Sequence, residues 1–263
     1  ALIDLDLRER GVSLAEHLGG TRELVECGIS IGIQGSVEGL LEAVSAAVSR
    51  GYRRVKLKIE PGTDIEPVSA VREAFPEIPL SVDANAAYDP ASPDPLLSLD
   101  HLELEYIEQP FPEEALLANV ELQRRLRTPV CLDETITSAT RAEEAIRLDA
   151  CRVINVKVGR VGGLTESLTI HGIAAAAGVA LWCGGMLETG IGRAVNVAVA
   201  SLPGFTKPGD TSPSDRYFER DITEPFEMAL DGTMEVPRSP GIGRRPDPGR
   251  LSKVTVLRER IRA

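Results

Sequence analysis

Three carboxylates and two lysines recur at a regular interval along this chain of 263 residues. The carboxylates Asp83, Glu108 and Asp133 lie 25 residues apart, and each one closes a short apolar run. The same step backwards from Asp83 reaches Lys58, and 24 residues beyond Asp133 lies Lys157. This spacing indicates one position of a repeating structural unit, and five charged residues at that position indicate a shared site.

The charged residues also fall on one predicted face of each strand, because side chains of a β-strand alternate between faces. In one run Val55, Leu57 and Ile59 share one face, while Lys56 and Lys58 share the other. Charged side chains are seldom buried unpaired, since desolvation costs several kcal/mol for each ion. A ring of charges at the carboxyl ends of strands therefore predicts a metal site or a reaction.

Converging carboxylates require a cation, because three ionised groups at close range repel one another. Oxygen ligands that leave coordination positions for water and substrate are typical of Mg²⁺, and Mn²⁺ can substitute for it. We therefore predict that Asp83, Glu108 and Asp133 hold Mg²⁺ or Mn²⁺.

Lys58 and Lys157 would face each other across this site, since strands two and six of an eight-stranded barrel lie on opposite walls. Burial and a nearby cation can tune a lysine to act as a base near neutral pH. Proton abstraction next to a carboxylate gives an enediolate, which a dication stabilises. One lysine on each face allows either racemisation or loss of a leaving group, and the residues alone leave both open.

Each charged residue also has a structural explanation. A single Asp or Glu at a strand end is usually a helix N-cap or a surface charge. Lys56 points to the same side as Lys58 and could be half of an ion pair or bind an anion. The glycine-rich turns at 159–163 and 184–192 could be simple turns, or could bring backbone N–H groups to an anion. We assign no role to the three histidines.

Two further classes of function stay open at this point. A Schiff-base aldolase would use Lys58 or Lys157 covalently, would not need three carboxylates, and would be trapped by borohydride with a carbonyl substrate. A barrel kept only for assembly would have no activity to lose when Lys58 is changed to Ala.

The elements that must position these residues alternate along the chain as strand and helix. The predicted strands are 27–33, 55–59, 80–85, 105–110, 129–134, 153–158, 179–183 and 205–210. The predicted helices between them are 37–49, 65–75, 95–102, 113–126, 139–148, 164–177 and 193–201. Eight strands and seven intervening helices are typical of an α/β protein with a (β/α)₈ TIM-type barrel.

The chain divides into three predicted parts. Residues 1–20 form a junction helix that ends at two glycines, and residues 21–223 form the barrel that carries the catalytic site. The period is lost in the C-terminal segment, 224–263, where Val254–Leu257 is a strand-like run. This segment either crosses to another domain or partner, or is a loosely ordered tail.

Composition narrows the class of partner. The formal net charge is −11 and there is no long basic run, so we expect no nucleic acid and no anionic membrane as a partner. No apolar stretch has the length of a membrane span, and no signal peptide is visible, although the chain begins at Ala1 and not at Met. Four separate cysteines predict buried thiols in a reducing compartment, which indicates the cytoplasm.

Six motifs resemble the enolase superfamily, and within it the o-succinylbenzoate synthase and N-succinylamino acid racemase branch. They are Lys56-Leu-Lys58, Val82-Asp-Ala-Asn85, Ile107-Glu-Gln-Pro110, Leu132-Asp-Glu134, Asn155-Val-Lys157 and Gly184-Gly-Met-Leu-Glu188. The resemblance implies that the three carboxylates bind Mg²⁺ and that the two lysines form the acid–base pair, an arrangement already known for this superfamily. It also implies a small-molecule carboxylate as substrate.

The resemblance implies a lyase reaction first. Lys58 would remove the α-proton and assist the loss of hydroxide, while Lys157 would steady the enediolate as a cation. The product would be o-succinylbenzoate, on the menaquinone pathway. Racemisation of N-succinyl or other N-acyl amino acids at the same two lysines is the alternative, and a catalytically impaired barrel fragment is another.

Further positions match residues that line the substrate or support the metal ligands in similar proteins. Those matching substrate positions are Ser30, Lys56, Asn85, Arg160, Gly185 and Met186. Arg160 corresponds to an arginine associated with relatives that also racemise N-succinylamino acids. Glu134 would hold the ligands in place from outside the metal site.

The chain departs from the family pattern at its start. Family members carry an N-terminal α+β capping domain that closes over the barrel mouth, whereas this chain begins within what corresponds to the helix that joins cap and barrel. The C-terminal segment would pack on that missing domain. The chain is therefore either a fragment of a longer protein or a barrel whose lid is supplied elsewhere. Without a lid, exclusion of water and closure over the substrate would suffer, which would impair activity. The resemblance implies a capping domain from a missing N-terminal segment. A homo-oligomer is also expected.

Overall fold

Strands and helices alternate through the middle of the chain in the computed structural model, which describes residues 1–259. Within that range the strands β1 to β9 are Leu24–Glu26, Gly28–Ile31, Arg54–Lys58, Leu80–Asp83, Ile107–Glu108, Val130–Leu132, Val153–Val156, Ala180–Cys183 and Thr233–Glu235. The α-helices α1 to α10 are Leu2–Arg10, Leu14–Leu18, Val37–Ser49, Ile65–Ala74, Asp94–Ser98, Leu116–Arg125, Ala139–Arg147, Leu164–Ala177, Gly190–Ala200 and Pro248–Val254.

Seven strands form one parallel sheet in chain order, from β2 to β8. Lys58 lies opposite Asp83, and Asp83 lies opposite Glu108, so the ends of β3, β4 and β5 are level. Parallel neighbours need a crossover between them, and the helices of the chain provide it. This order confirms the predicted α/β barrel class.

The predicted eighth strand, Phe205–Asp210, is wrong as a regular strand, but the segment takes the place of one. The N–H of Lys207 donates to the carbonyl of Leu181 in β8 (3.2 Å). On the other side, the N–H of Gly28 in β2 donates to the carbonyl of Gly209 (2.7 Å). A proline within the segment has no N–H for a continuous ladder. The two edges of the sheet are therefore joined by an irregular closing segment.

The apolar core lies between the sheet and its helices. Val55, Leu57 and Ile59 are all buried on that side, as the alternation of β3 predicts. Their neighbours on β3, Arg54 and Lys56, are equally buried although they are charged. The interior of the barrel is therefore a second buried region, which holds charged side chains beside a small apolar cluster of Tyr106, Cys131, Val153 and Trp182.

The predicted junction helix is wrong as a single helix. The chain breaks after α1 at Gly11, which takes a left-handed conformation with φ of 71°. Ser13 then begins α2, and its hydroxyl accepts a hydrogen bond from the N–H of Glu16 (3.2 Å). Gly19 ends α2 with φ of 85°, where the glycine pair predicted a stop.

The C-terminal segment also differs from its prediction. Val254 ends helix α10, and the residues after it form no strand within the described range, so the strand-like reading of Val254–Leu257 is wrong. An unpredicted strand, β9, pairs antiparallel with β1 and places Met234 opposite Val25. The last residues of the predicted segment 224–263 lie outside the described residues, and the three-part division stays a prediction.

None of the helices described between residues 1 and 259 combines the length and the apolar character that crossing a membrane requires.

His171 holds α8 against the closing segment. Its Nε2 accepts a hydrogen bond from the N–H of Gly204 (3.1 Å), and its ring stacks on Phe205 with centroids 6.0 Å apart. Burial lowers the pKa of His171 below its ordinary value. The folded state therefore favours the neutral ring.

We expect this contact to make stability depend on pH. The ordinary pKa of histidine is about 6.5, and the folded value is lower, so the unfolded chain takes up the proton first as the pH falls. The stability from His171 is thus complete above about pH 6.5 and declines below it. Thermal unfolding followed across this range should show wild type losing more stability than His171→Gln. A difference that is constant with pH contradicts the prediction, and His17→Gln, at an exposed histidine, is the control.

Candidate active site

The five predicted residues lie at the carboxyl ends of five neighbouring strands. Lys58, Asp83 and Glu108 are the last residues of β3, β4 and β5, and Asp133 and Lys157 directly follow β6 and β7. Because carboxyl ends of parallel strands meet at one end of a barrel, the fold brings all five together. These five residues form a row, with the two lysines at its ends and the three carboxylates between them.

Each carboxylate of this row is paired with an ammonium group. Lys58 Nζ lies 2.7 Å from Asp83 Oδ2, and Lys157 Nζ lies 2.8 Å from Asp133 Oδ2. Glu108 is paired with Lys56, whose Nζ is 2.6 Å from Glu108 Oε2. Lys56 is therefore a member of an ion-pair network in this structure, and its role in substrate binding stays a prediction.

The three carboxylates are more deeply buried than the two outer amines. Asp83, Glu108 and Asp133 are 2%, 0% and 0% exposed. The side chains of Lys58 and Lys157 are 33% and 17% exposed. A molecule that enters the barrel mouth therefore meets the amines, while the carboxylate charge lies beneath.

The charge of the row is least compensated at Glu108. Burial raises the pKa of Glu108 to about 8, and the neighbouring charges of Asp83 and Asp133 add to this against the opposing effect of Lys56. At Asp83 the balance is reversed. Burial opposes ionisation there too, but the ammonium groups of Lys56 and Lys58 hold its pKa below the usual range. A further cation would stabilise the ionised form of Glu108.

The donor chemistry of the row suits a hard dication such as Mg²⁺, since it consists of carboxylate oxygens alone. Among residues 1–259, no three His, Cys, Asp or Glu side chains are already arranged around a metal position. Each carboxylate of the row is instead bonded to an amine. The residues fit a divalent cation by charge and ligand type, and the ammonium groups provide the neutralising charge in this structure.

Two further predicted residues contact the row directly. The guanidinium of Arg160 bonds to Asp133, on the carboxylate that Lys157 also contacts. Asn85 accepts a hydrogen bond from Lys58 with its side-chain oxygen, and its own N–H donates to Asp83 Oδ1 (3.0 Å). Asn85 therefore links Lys58 to Asp83, and Arg160 shares the Asp133 carboxylate with Lys157.

Glu134 lies behind this arrangement. Its Oε1 accepts a hydrogen bond from Asn85 Nδ2 (2.9 Å). Its Oε2 is buried and has no hydrogen-bond partner among the described residues. The contact with Asn85 places Glu134 where it can orient that side chain towards Lys58.

The remaining predicted positions lie at the edge of the site. Ser30 pairs with Lys56 in the β2–β3 register. Gly185 lies against the closing segment, where a Cβ would overlap the carbonyl of Asp210. Met186 is 60% exposed. The structure brings Ser30 next to the ion-pair network, and a role of these three residues in substrate binding stays a prediction.

Gln109 is a site residue that the sequence argument missed. It is fully buried with φ of 37°, and its Oε1 accepts hydrogen bonds from the N–H groups of Asp133 (3.0 Å) and Thr135 (3.1 Å). Its Nε2 donates to the carbonyl of Phe111 (2.7 Å). Gln109 therefore links the loop after Glu108 to the loop that carries Asp133. Its sequence signal is its place in the Ile107-Glu-Gln-Pro110 motif, directly after Glu108.

Asp210 is the second residue that was missed. Its carboxylate lies 2.8 Å from Arg54 Nη2 and 3.3 Å from Lys56 Nζ. Burial opposes its ionisation, but Lys56 and Arg54 hold the pKa of Asp210 well below its usual range. The sequence did place Asp210 at the end of the predicted eighth strand, just as Asp83 ends the apolar run of the predicted third strand.

The family described as enolase C-terminal domain-like matches residues 39–250. An N-succinylamino acid racemase from Amycolatopsis sp is 50% identical over 259 residues, which cover 98% of this chain and 70% of that protein. An o-succinylbenzoate synthase from Geobacillus kaustophilus is 47% identical over 255 residues, or 97% of this chain and 68% of that protein. The chain thus spans about two thirds of the length of these relatives.

A solved structure with the same fold contains a metal. A dipeptide epimerase from Cytophaga hutchinsonii, complexed with Mg and the dipeptide D-Ala-L-Val, superposes with a TM-score of 0.89. The two chains are 25% identical, and the match covers 96% of this chain and 70% of the other.

We expect Gln109→Leu to lower the free energy of unfolding by about 2–4 kcal/mol, because the N–H groups of Asp133 and Thr135 would lose their acceptor inside the protein. Urea unfolding followed by circular dichroism measures the change. Gln34→Leu is the matched control, since Gln34 is exposed and bonds only its own loop at Gly32. Equal stabilities of the two variants would count against the assigned role of Gln109.

Proposed function

Because this chain belongs to the enolase superfamily, we propose that it removes the proton next to a substrate carboxylate and then expels water to form o-succinylbenzoate. The observation that carries the proposal is the row of three buried carboxylates with a partly exposed lysine amine at each end. The similarity to an o-succinylbenzoate synthase at 47% identity supports the choice of product.

Lys58 is the proposed base. A third of its side chain is exposed, so its Nζ can reach a substrate at the mouth, and contacts with Asp83 and Asn85 orient it. The neutral amine takes the α-proton, and the resulting ammonium then gives that proton to the departing hydroxide, which leaves as water. One residue therefore serves first as base and then as acid.

Lys157 is the proposed cation on the opposite side. Its ammonium is held against Asp133, and Arg160 shares the same carboxylate. It stays protonated during elimination and stabilises negative charge that develops on the substrate. Mg²⁺ on Asp83, Glu108 and Asp133 would supply further positive charge to the substrate carboxylate as it becomes an enediolate.

Racemisation of N-succinyl or other N-acyl amino acids is the second candidate. It is supported by the amines at both ends of the row and by the 50% identity with an N-succinylamino acid racemase. One lysine would remove the α-proton from one face, and the other would return a proton to the opposite face. The contact between Arg160 and Asp133 lies next to Lys157 and bears on its orientation.

We also propose the surroundings in which this site works. A capping domain outside residues 1–263 would close the mouth and exclude water, and the barrel alone would be catalytically impaired. We further propose that the protein is a homo-oligomer and works in the cytoplasm. Because its proposed product is o-succinylbenzoate, we place it in menaquinone biosynthesis.

The metal requirement is tested by chelation. We expect EDTA to abolish turnover of both substrate classes and added Mg²⁺ to restore it, with Mn²⁺ as a partial substitute. The reason is that a dication held by the buried carboxylates would stabilise the enediolate. Calorimetric titration of the metal-free protein with Mg²⁺ measures binding without substrate. Full activity in protein shown to be metal-free would disprove the ligand assignment.

The lysine pair is tested by substitution. We expect Lys157→Ala to reduce both elimination and racemisation by about a thousandfold or more, in line with the loss of a general acid–base or charge-stabilising group. Rates with the two substrates, measured side by side, provide the test. Lys253→Ala, at an exposed lysine of α10, is the control. Racemisation that survives in Lys157→Ala would be incompatible with a two-base mechanism.

A further inference from the structure

Lys56 is shared by three carboxylates. Its Nζ lies 2.6 Å from Glu108 Oε2, 3.3 Å from Asp83 Oδ2 and 3.3 Å from Asp210 Oδ2. The side chain is only 3% exposed, so water does not solvate the ammonium. An ammonium group has three protons to donate, and the three carboxylates match that number. Of the three, Glu108 and Asp83 are proposed metal ligands and Asp210 is not.

A divalent cation on Glu108 and Asp83 would compete with Lys56. Both cations would be attracted to the same two carboxylates, and they would repel each other in a buried site where screening is weak. Lys56 then needs another partner, since an unpaired buried charge is costly. Among the carboxylates of residues 1–259, Asp210 is the one in contact with Lys56 that remains available for this purpose.

Asp210 is held firmly enough for that role. Its N–H donates to the carbonyl of Cys183 in β8 (3.0 Å), and its carbonyl accepts from Arg193 Nη1 (2.9 Å). Its carboxylate is anchored by Arg54 (2.8 Å), a side chain that is 1% exposed. The same Arg54 group also donates to the carbonyl of Pro208 (3.0 Å) in the closing segment. The position of this carboxylate is therefore set by the closure of the barrel.

Trp182 limits where the ammonium can move. Lys56 Nζ lies 4.5 Å from the centroid of its ring, and the Arg54 guanidinium lies 5.0 Å from it. The ring supplies a favourable face for both cations but accepts no strong hydrogen bond. Lys56 can therefore pack against Trp182, while carboxylates must accept its hydrogen bonds.

We propose that Asp210 is a positioning residue that draws the Lys56 ammonium away from Glu108 and Asp83 and so sets the affinity of the site for Mg²⁺. The inference rests on the proposed function, because it assumes that Glu108 and Asp83 are metal ligands. It adds a residue of the closing segment to the parts of the chain on which the metal site depends.

The test measures Mg²⁺ affinity by calorimetric titration of the intact, metal-free chain. We expect Asp210→Asn to bind Mg²⁺ more weakly by about tenfold or more, within the usual range for coupled sites. The amide keeps an acceptor for Arg54 but removes the charge that pairs with Lys56. Asp215→Asn is the matched control, because it causes the same change in net charge at an exposed carboxylate, which is paired with Arg50. We expect its affinity to equal that of wild type.

A double variant separates positioning from a general structural defect. Lys56→Met added to Asp210→Asn should restore the affinity, since no ammonium remains to compete for the ligands. Unchanged affinity in Asp210→Asn overturns the inference and leaves the proposed function standing, and so does a loss that Lys56→Met fails to restore. If wild type itself binds no Mg²⁺, the inference and the metal-dependent function both fall.

Folding of each variant is checked by circular dichroism before titration. If Asp210→Asn does not fold, the single variant Lys56→Met carries the test. It should bind Mg²⁺ about tenfold more tightly than wild type, because the competing cation is gone. Equal or weaker binding by folded Lys56→Met would overturn the inference.

Discussion

The site depends on one constraint, which is that carboxylates buried inside a barrel must be neutralised. Asp83, Glu108 and Asp133 are almost completely buried, and water cannot stabilise their charge. Amines from neighbouring strands take over that role at distances between 2.6 and 2.8 Å. The ion pairs therefore explain both why charged residues can line the barrel and why the outer lysines point into its mouth. A dication would enter an environment that already balances charge.

The segment that closes the barrel also contributes a residue to the charged network of the site. The closing segment has no regular ladder, yet it bonds to β8 on one side and to β2 on the other. It also carries Asp210 into the interior, next to Lys56. Arg54 in the barrel interior in turn holds the segment, because it contacts both Asp210 and Pro208. A change in this segment is therefore expected to alter stability and metal affinity together.

Much of the fold could be predicted because strand alternation and the repeat of about 25 residues are local properties. The helices α3 and α8 have the predicted bounds, Val37–Ser49 and Leu164–Ala177. The break at Gly11 was missed, since a glycine within a helical pattern can be either tolerated or a stop. Val254–Leu257 was misread as a strand because β-branched residues in a short run do not exclude a helix end.

The sequence by itself determined which residues can meet at the mouth, because equal spacing in a repeating α/β chain brings the ends of successive strands together. It determined the chemical types as well: three carboxylates and two amines. Only the tertiary structure decided the partners of each charge, since Lys56 contacts residues 27, 52 and 154 positions away, and no spacing rule specifies such pairs. The roles of Gln109 and Asp210 likewise follow from contacts between residues that are distant in the chain. Hydrogen bonds and ion pairs depend on position in space and not on position in the chain.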